Sequence, residues 1–150
     1  MSFEIKAFKH WQTEDGGGYQ FNLYHNKKKF AFVHNDGNGG CIDIRFADAE
    51  HHTRHDTPFA KIWNDHVKSL GQWHSSFGAI DGKEWFDHDT DTAIGILVEE
   101  YEMSKHRKKG ILFRLLDDSD NSFRTIKTQD MGLAVEHLDK TFGKGKYLFV

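Results

Sequence analysis

The chain has 150 residues, with 20 Lys+Arg against 23 Asp+Glu and a formal net charge of −3. That length supports a packed core, and a composition of 37% hydrophobic residues with one cysteine excludes a disordered chain, a collagen, a coiled coil and a disulfide scaffold. No apolar run is long enough to span a membrane, and the near-neutral balance excludes nucleic-acid binding through bulk charge.

Residues 1–11 alternate apolar and polar side chains and predict a first strand. They lack the apolar stretch of an export signal, which together with the single thiol sets the expectation of a cytoplasmic protein. Gly16-Gly17-Gly18 is expected to separate this strand from a second at 19–25, where Tyr19, Phe21 and Leu23 share a face. Asn26 to Lys29 reads as a polar turn before a strand at 30–34. Asn35-Asp36-Gly37-Asn38-Gly39-Gly40 tolerates positive φ and forms a wide turn into a strand at 41–46. There Ile42, Ile44 and Phe46 point one way, and Asp43 and Arg45 the other, so an antiparallel meander with one wet face is expected.

Thr57 and Pro58 supply a cap and a first-turn proline for a helix whose Phe59, Ile62, Trp63, His66, Val67 and Leu70 recur at helical spacing. Gly71 ends it. Residues 72–88 read as short segments around an Asp81-Gly82 turn. A second helix, capped within Asp89-Thr90-Asp91, carries a stripe of Ile94, Leu97, Val98 and Tyr101 and stops at Gly110. Acid at its start and base at its end complement the helix dipole. A strand at 111–116, a turn, a strand at 122–128 and a helix capped by Asp130 follow, with Met131, Ala134, Val135, Leu138 and Phe142 expected inward. Residues 147–150 close as a strand. The expectation is one α+β domain: a largely antiparallel sheet, with an N-terminal three- to four-stranded meander plus C-terminal strands, packed against two or three helices.

Candidate chemistry is sparse. His51, His52, His55 and Asp56, near Asp48 and Glu50, form the densest set of metal-ligand types, and a helical turn would place His51 and His55 on one face. A third ligand would have to come from elsewhere, such as His74 or His88, and the H-E-x-x-H pattern is absent. A divalent ion held there would generate hydroxide for a phosphodiesterase or nuclease reaction; a solvated loop is the simpler account, and otherwise no cofactor is expected. Cys41 would need a base such as His34 across the glycine loop, and a small buried residue explains it more simply. The 35–40 loop enters a strand without Gly-Lys-Ser/Thr, which favours a hairpin turn over a phosphate loop. The acids at 87–91 fail as a calcium loop, because the sixth and twelfth positions are Thr92 and Val98.

Two charged groups suit binding. Lys27, Lys28 and Lys29, the run from Lys105 to Lys109, and Lys144 with Lys146 would track phosphates if the fold gathered them, with Tyr24, Phe30 or Tyr147 as stacking partners. Asp81, Glu84, Asp87, Asp89 and Asp91 would suit a basic nucleic-acid channel on a partner protein. The 21 aromatic residues (13 Phe, 4 Trp, 4 Tyr) supply anchors for an interface or a core alike.

Over residues 21–46 the pattern strand, Asn26-x-Lys28-Lys29, strand, Asn35 to Gly40, strand resembles a diffuse group of short phage and bacterial proteins, and Gly143 to Tyr147 extends it. The resemblance implies a non-enzymatic accessory protein of a phage or mobile element that binds and blocks a host protein. A nucleic-acid-handling defence complex of the CRISPR–Cas type fits as the partner, and no membrane partner is expected. A metal-dependent phosphodiesterase or nuclease, and a small nucleic-acid or nucleotide-binding module, stand as alternatives; the oligomeric state is left open.

Overall fold

Four strands, β1 (Phe3–Thr13), β2 (Gly16–His25), β3 (Lys28–Asn35) and β4 (Asp43–Phe46), form an antiparallel meander in that order. They belong to a computed structural model that describes residues 2–49, 56–75, 77–119 and 122–150. The chain forms two compact units, Met1–Val98 and Glu99–Val150.

The meander is tighter than its sequence implies. Glu14 and Asp15 alone turn β1 into β2, and Asn26 and Lys27, at φ 49 and 66, turn β2 into β3. Two successive left-handed residues match the twist of a two-residue hairpin, which is why the lysines at 28 and 29 already belong to β3. The three glycines, expected as a separator, instead open β2. Their reason is tertiary. The Trp11 ring crosses Gly18, and Gly37, at φ +83, backs onto Gly17 and Gly18. A side chain on Gly18 would run into that ring and into the Asp36 carbonyl, and one on Gly37 would lie 2.7 Å from the Gly18 nitrogen.

Register breaks decide which side chains face inward. Ala7, at φ 54, sits in the break between Lys6 and Lys9 of β1. A second break follows Leu23, so that Leu23 pairs with Ala31 and Tyr24 with Lys29. Phe30 is the extra residue, and both it and Ala31 turn inward at 2% and 0% exposure.

The inner face carries Ile5, Phe21, Leu23, Phe30, Ala31, Val33 and Phe46. Helix α1 (Pro58–Ser69) covers it: Phe59 stacks on Phe30 at 4.9 Å between ring centroids, and Trp63 meets Phe3 edge-on at 5.5 Å. Thr57 caps α1 by accepting from the Ala60 N–H, as expected. The Asp48 carboxylate accepts from the Phe59 N–H as well. A short hairpin, β5 (Gln72–His74) with β6 (Trp85–Asp87), follows. Helix α2 (Thr90–Lys109) begins where Asp89 accepts from the Thr92 N–H, and it buries Ala93 and Ile94.

The second unit pairs β7 (Ile111–Leu115) with both β8 (Arg124–Ile126) and β9 (Tyr147–Phe149), beside α3 (Met131–Phe142). Asp130 caps α3 through the Leu133 N–H, and Gly143 ends it at φ +96. Leu112, Phe113, Ala134 and Leu138 are buried. Met131, expected inward, is 50% exposed: it is the first residue of α3, on the same stripe as Ala134 and Leu138 but at the helix end. Among the described residues the fold is α+β, with three helices and antiparallel strands divided among three sheets.

Candidate functional site

Two surfaces of the first unit present side chains whose packing does not account for them. One is the tip of the β5–β6 hairpin. Trp73 and Phe86 stack at 5.1 Å and are half-buried, so period-two alternation sends their neighbours outward. His74 and Trp85 meet edge-on at 4.9 Å, and Trp85 is 57% exposed. Beyond them Ser75 is buried; its N–H donates to the Glu84 carbonyl and its hydroxyl accepts from the Phe77 N–H. Ile80 and Lys83 pair across an Asp81–Gly82 turn at φ 49 and 77. Phe77 is 93% exposed and Ile80 45%. A backbone anchored at Ser75 and turned at Asp81 thus projects three large apolar side chains into solvent.

The other surface is the outer face of the β1–β4 sheet. Register sets Lys6, Asn22, Phe32 and Arg45 in one row, and Lys9, Gln20, His34 and Asp43 in the next. Glu4, Tyr24 and Lys29 flank the first row, and Trp11 over Gly18 flanks the second. The Trp11 indole N–H donates to the Asp36 carbonyl at 3.2 Å, fixing the ring, and His34 lies between Trp11 (5.8 Å) and Phe32 (6.5 Å). Lys6 stands 4.5 Å over the Tyr24 ring. Glu4 is 3.9 Å from Lys6, and Asp43 bonds Arg45 at 2.9 Å.

The structure divides the acidic residues singled out by sequence. Asp89 caps α2, and hydrogen bonding from Thr92 holds its carboxyl below the usual aspartate range. Asp91 accepts from the Ile42 N–H, and Asp87 from the Gln72 side-chain amide. Only Asp81 and Glu84 sit at the exposed tip, Glu84 at 3.8 Å from His74.

The lysines divide too. Lys27, Lys28 and Lys29 lie at the β2–β3 hairpin of the first unit, while Lys144 and Lys146 flank Gly145 in the second. Lys146 edges a cavity of about 300 Å³ with Leu116, Asp117 and Phe142. Of the stacking candidates, Phe30 is buried in the core, Tyr147 donates to Asp139 at 2.8 Å, and Tyr24 lies on the outer sheet face. Sequence spacing does not group Trp11, Phe32 and His34; the register makes them neighbours.

His51, His52 and His55 lie outside the described residues, and Asp56 is exposed just ahead of the α1 cap. His74 faces Glu84, and the His88 ring contacts the Thr92 hydroxyl at 3.2 Å. The second Asp48 oxygen is buried without a hydrogen-bond partner among the described residues, which also hold no group of three His, Cys, Asp or Glu close enough to bind a metal. Cys41 is exposed rather than buried, at a cavity of about 360 Å³ lined by Ile42, Trp63, Asp89 and Asp91. The register sets Asp43, not Cys41, opposite His34. In the glycine loop, the Gly37 and Asn38 N–H groups donate to the Asn35 and Asp36 side chains, as in a self-bonded turn.

No family model, curated protein or solved structure matches this chain. Among the described residues, no helix is long and apolar enough to cross a membrane.

Proposed function

We propose that this chain is a binding protein that docks, through its β5–β6 hairpin, on a partner protein presenting an apolar pocket edged by basic side chains. The observation that carries the reading is the exposure of Phe77, Ile80 and Trp85 on one hairpin. Burying a large apolar side chain contributes roughly 1.5–3 kcal/mol. Phe77 contributes almost none of this to folding and retains it for association. Trp and other aromatic anchors dominate the energetics of protein interfaces. Asp81 and Glu84, against Lys83 in the same turn, leave the tip with one net negative charge that favours a basic rim.

The resemblance to short phage proteins supplies the biological setting: an accessory protein of a phage or mobile element, acting in the host cytoplasm, that blocks a nucleic-acid-handling defence complex of the CRISPR–Cas type. The test is phage challenge of cells carrying an active CRISPR–Cas system and expressing this protein. The expected result is protection of the phage by the wild type and its loss with the double variant Phe77→Ser/Trp85→Ser at equal protein level. Equal protection by both proteins, or by neither, contradicts the reading.

A further inference from the structure

We propose that the outer face of the β1–β4 sheet binds single-stranded nucleic acid. Single strands are recognised by aromatic faces on which unpaired bases stack, set among cations that follow the phosphates. Both elements share this face. Trp11, His34 and Phe32 form a continuous row of rings spaced 5.8 and 6.5 Å apart.

The row is preorganised. The indole hydrogen bond to Asp36 and the bare backbone of Gly18 beneath it fix Trp11. Phe32 and His34 stand two residues apart on β3, the second inner strand of the sheet. Around the rings stand Lys6, Lys9, Lys29 and Arg45, against Glu4, Asp43 and the exposed Asp36 beside Trp11, with Lys6 paired to Glu4 and Arg45 to Asp43. This face is therefore positively biased on a chain whose formal net charge is −3, and that complementarity selects a polyanion. Gln20 and Asn22, between the rings and the cations, offer amide donors and acceptors for base edges. A duplex keeps its base faces stacked inside, so only an unpaired strand uses such a row.

The face differs in kind from the hairpin tip. Here the aromatic rings are half-buried and held by neighbours, whereas Phe77 projects. A row of supported rings suits planar ligands; a projecting ring suits a pocket. The two surfaces share no residue, so each proposal stands or fails alone.

Fluorescence anisotropy with a labelled oligothymidine of about 15 nucleotides, enough to cover one such sheet, tests the proposal. The wild type binds at low salt, and more weakly to a duplex of equal length. Phe32→Ala weakens binding about tenfold, the loss expected for one stacked base, while Phe32→Tyr retains it. Lys9→Gln/Arg45→Gln lowers the slope of log affinity against log salt by about 1.4, corresponding to two single-strand phosphate contacts. Phe77→Ser/Trp85→Ser binds like the wild type. Absence of binding by the folded wild type at about 50 mM salt overturns the proposal. So does a duplex bound as tightly as the strand, or full binding by both Phe32→Ala and Lys9→Gln/Arg45→Gln. Circular dichroism establishes folding, and should Phe32→Ala fail to fold, the charge variant and Phe32→Tyr carry the test.

Discussion

Gly18 shows how a single residue's meaning is hidden until the chain is folded. In the sequence it is one of three flexible glycines; in the structure it is where the Trp11 ring and the Asp36 carbonyl require the absence of a side chain. Gly18→Ala forces one of these groups aside and is expected to destabilise the fold by about 1–3 kcal/mol, the usual range for overpacking, read from urea denaturation midpoints. Phe30 was hidden similarly: alternation alone leaves it available for stacking, and its place as the extra residue in the β2–β3 pairing buries it. His66 packs against Phe3 and Trp63 at ring distances of 4.8 and 5.4 Å. Burial, reinforced by nearby positive charge including His25, holds its pKa below the ordinary histidine value of 6.5. The folded state therefore takes up this proton less readily than the unfolded chain, so stability is full above that value. It falls as pH drops through 6.5 and levels off below the lowered folded pKa. Comparing denaturation midpoints at about pH 7.5 and 5.5, His66→Gln should show a smaller acid-side loss than the wild type; an equal loss would assign the effect to other groups.

At the scale of elements, those with local signals were legible. Thr57-Pro58 and the 59–70 stripe predicted α1, Asp130 and Gly143 bounded α3, and the 42–46 alternation predicted β4. Elements defined by pairing were less so. The β5–β6 hairpin pairs only three residues per strand, too few for a clear period, and nothing in its sequence reveals that Phe77 stays in solvent. The outer sheet face is legible only once register is known, because Trp11, His34 and Phe32 come from strands two apart. The acidic stretch joined unlike parts: Asp89 starts a helix, whereas Asp81 and Glu84 lie at the hairpin tip. Asp89→Ala should therefore cost about 1 kcal/mol of stability through loss of the α2 cap. Asp81→Asn/Glu84→Gln, which keeps a residue that tolerates the left-handed turn at 81, should change stability by less than about 0.5 kcal/mol, as usual for surface substitutions, yet weaken partner binding. Thermal unfolding of the two variants distinguishes these effects; a destabilised tip variant would show that its charges serve the fold.

For the whole molecule, both units hold buried apolar residues, and the two proposed surfaces lie where the first unit leaves side chains outside its core. The general class of fold was readable from periodicity, whereas the division into three sheets follows from long-range pairing that periodicity does not encode. Phe77 and Trp85 are proposed to serve recognition while contributing little to folding. The most direct measurement takes one protein, Phe77→Ser/Trp85→Ser, and reads both its thermal midpoint and its capture of the host protein that the wild type retains. An unchanged midpoint with capture abolished is expected; a lowered midpoint with capture intact would place Phe77 and Trp85 in the fold instead of at an interface.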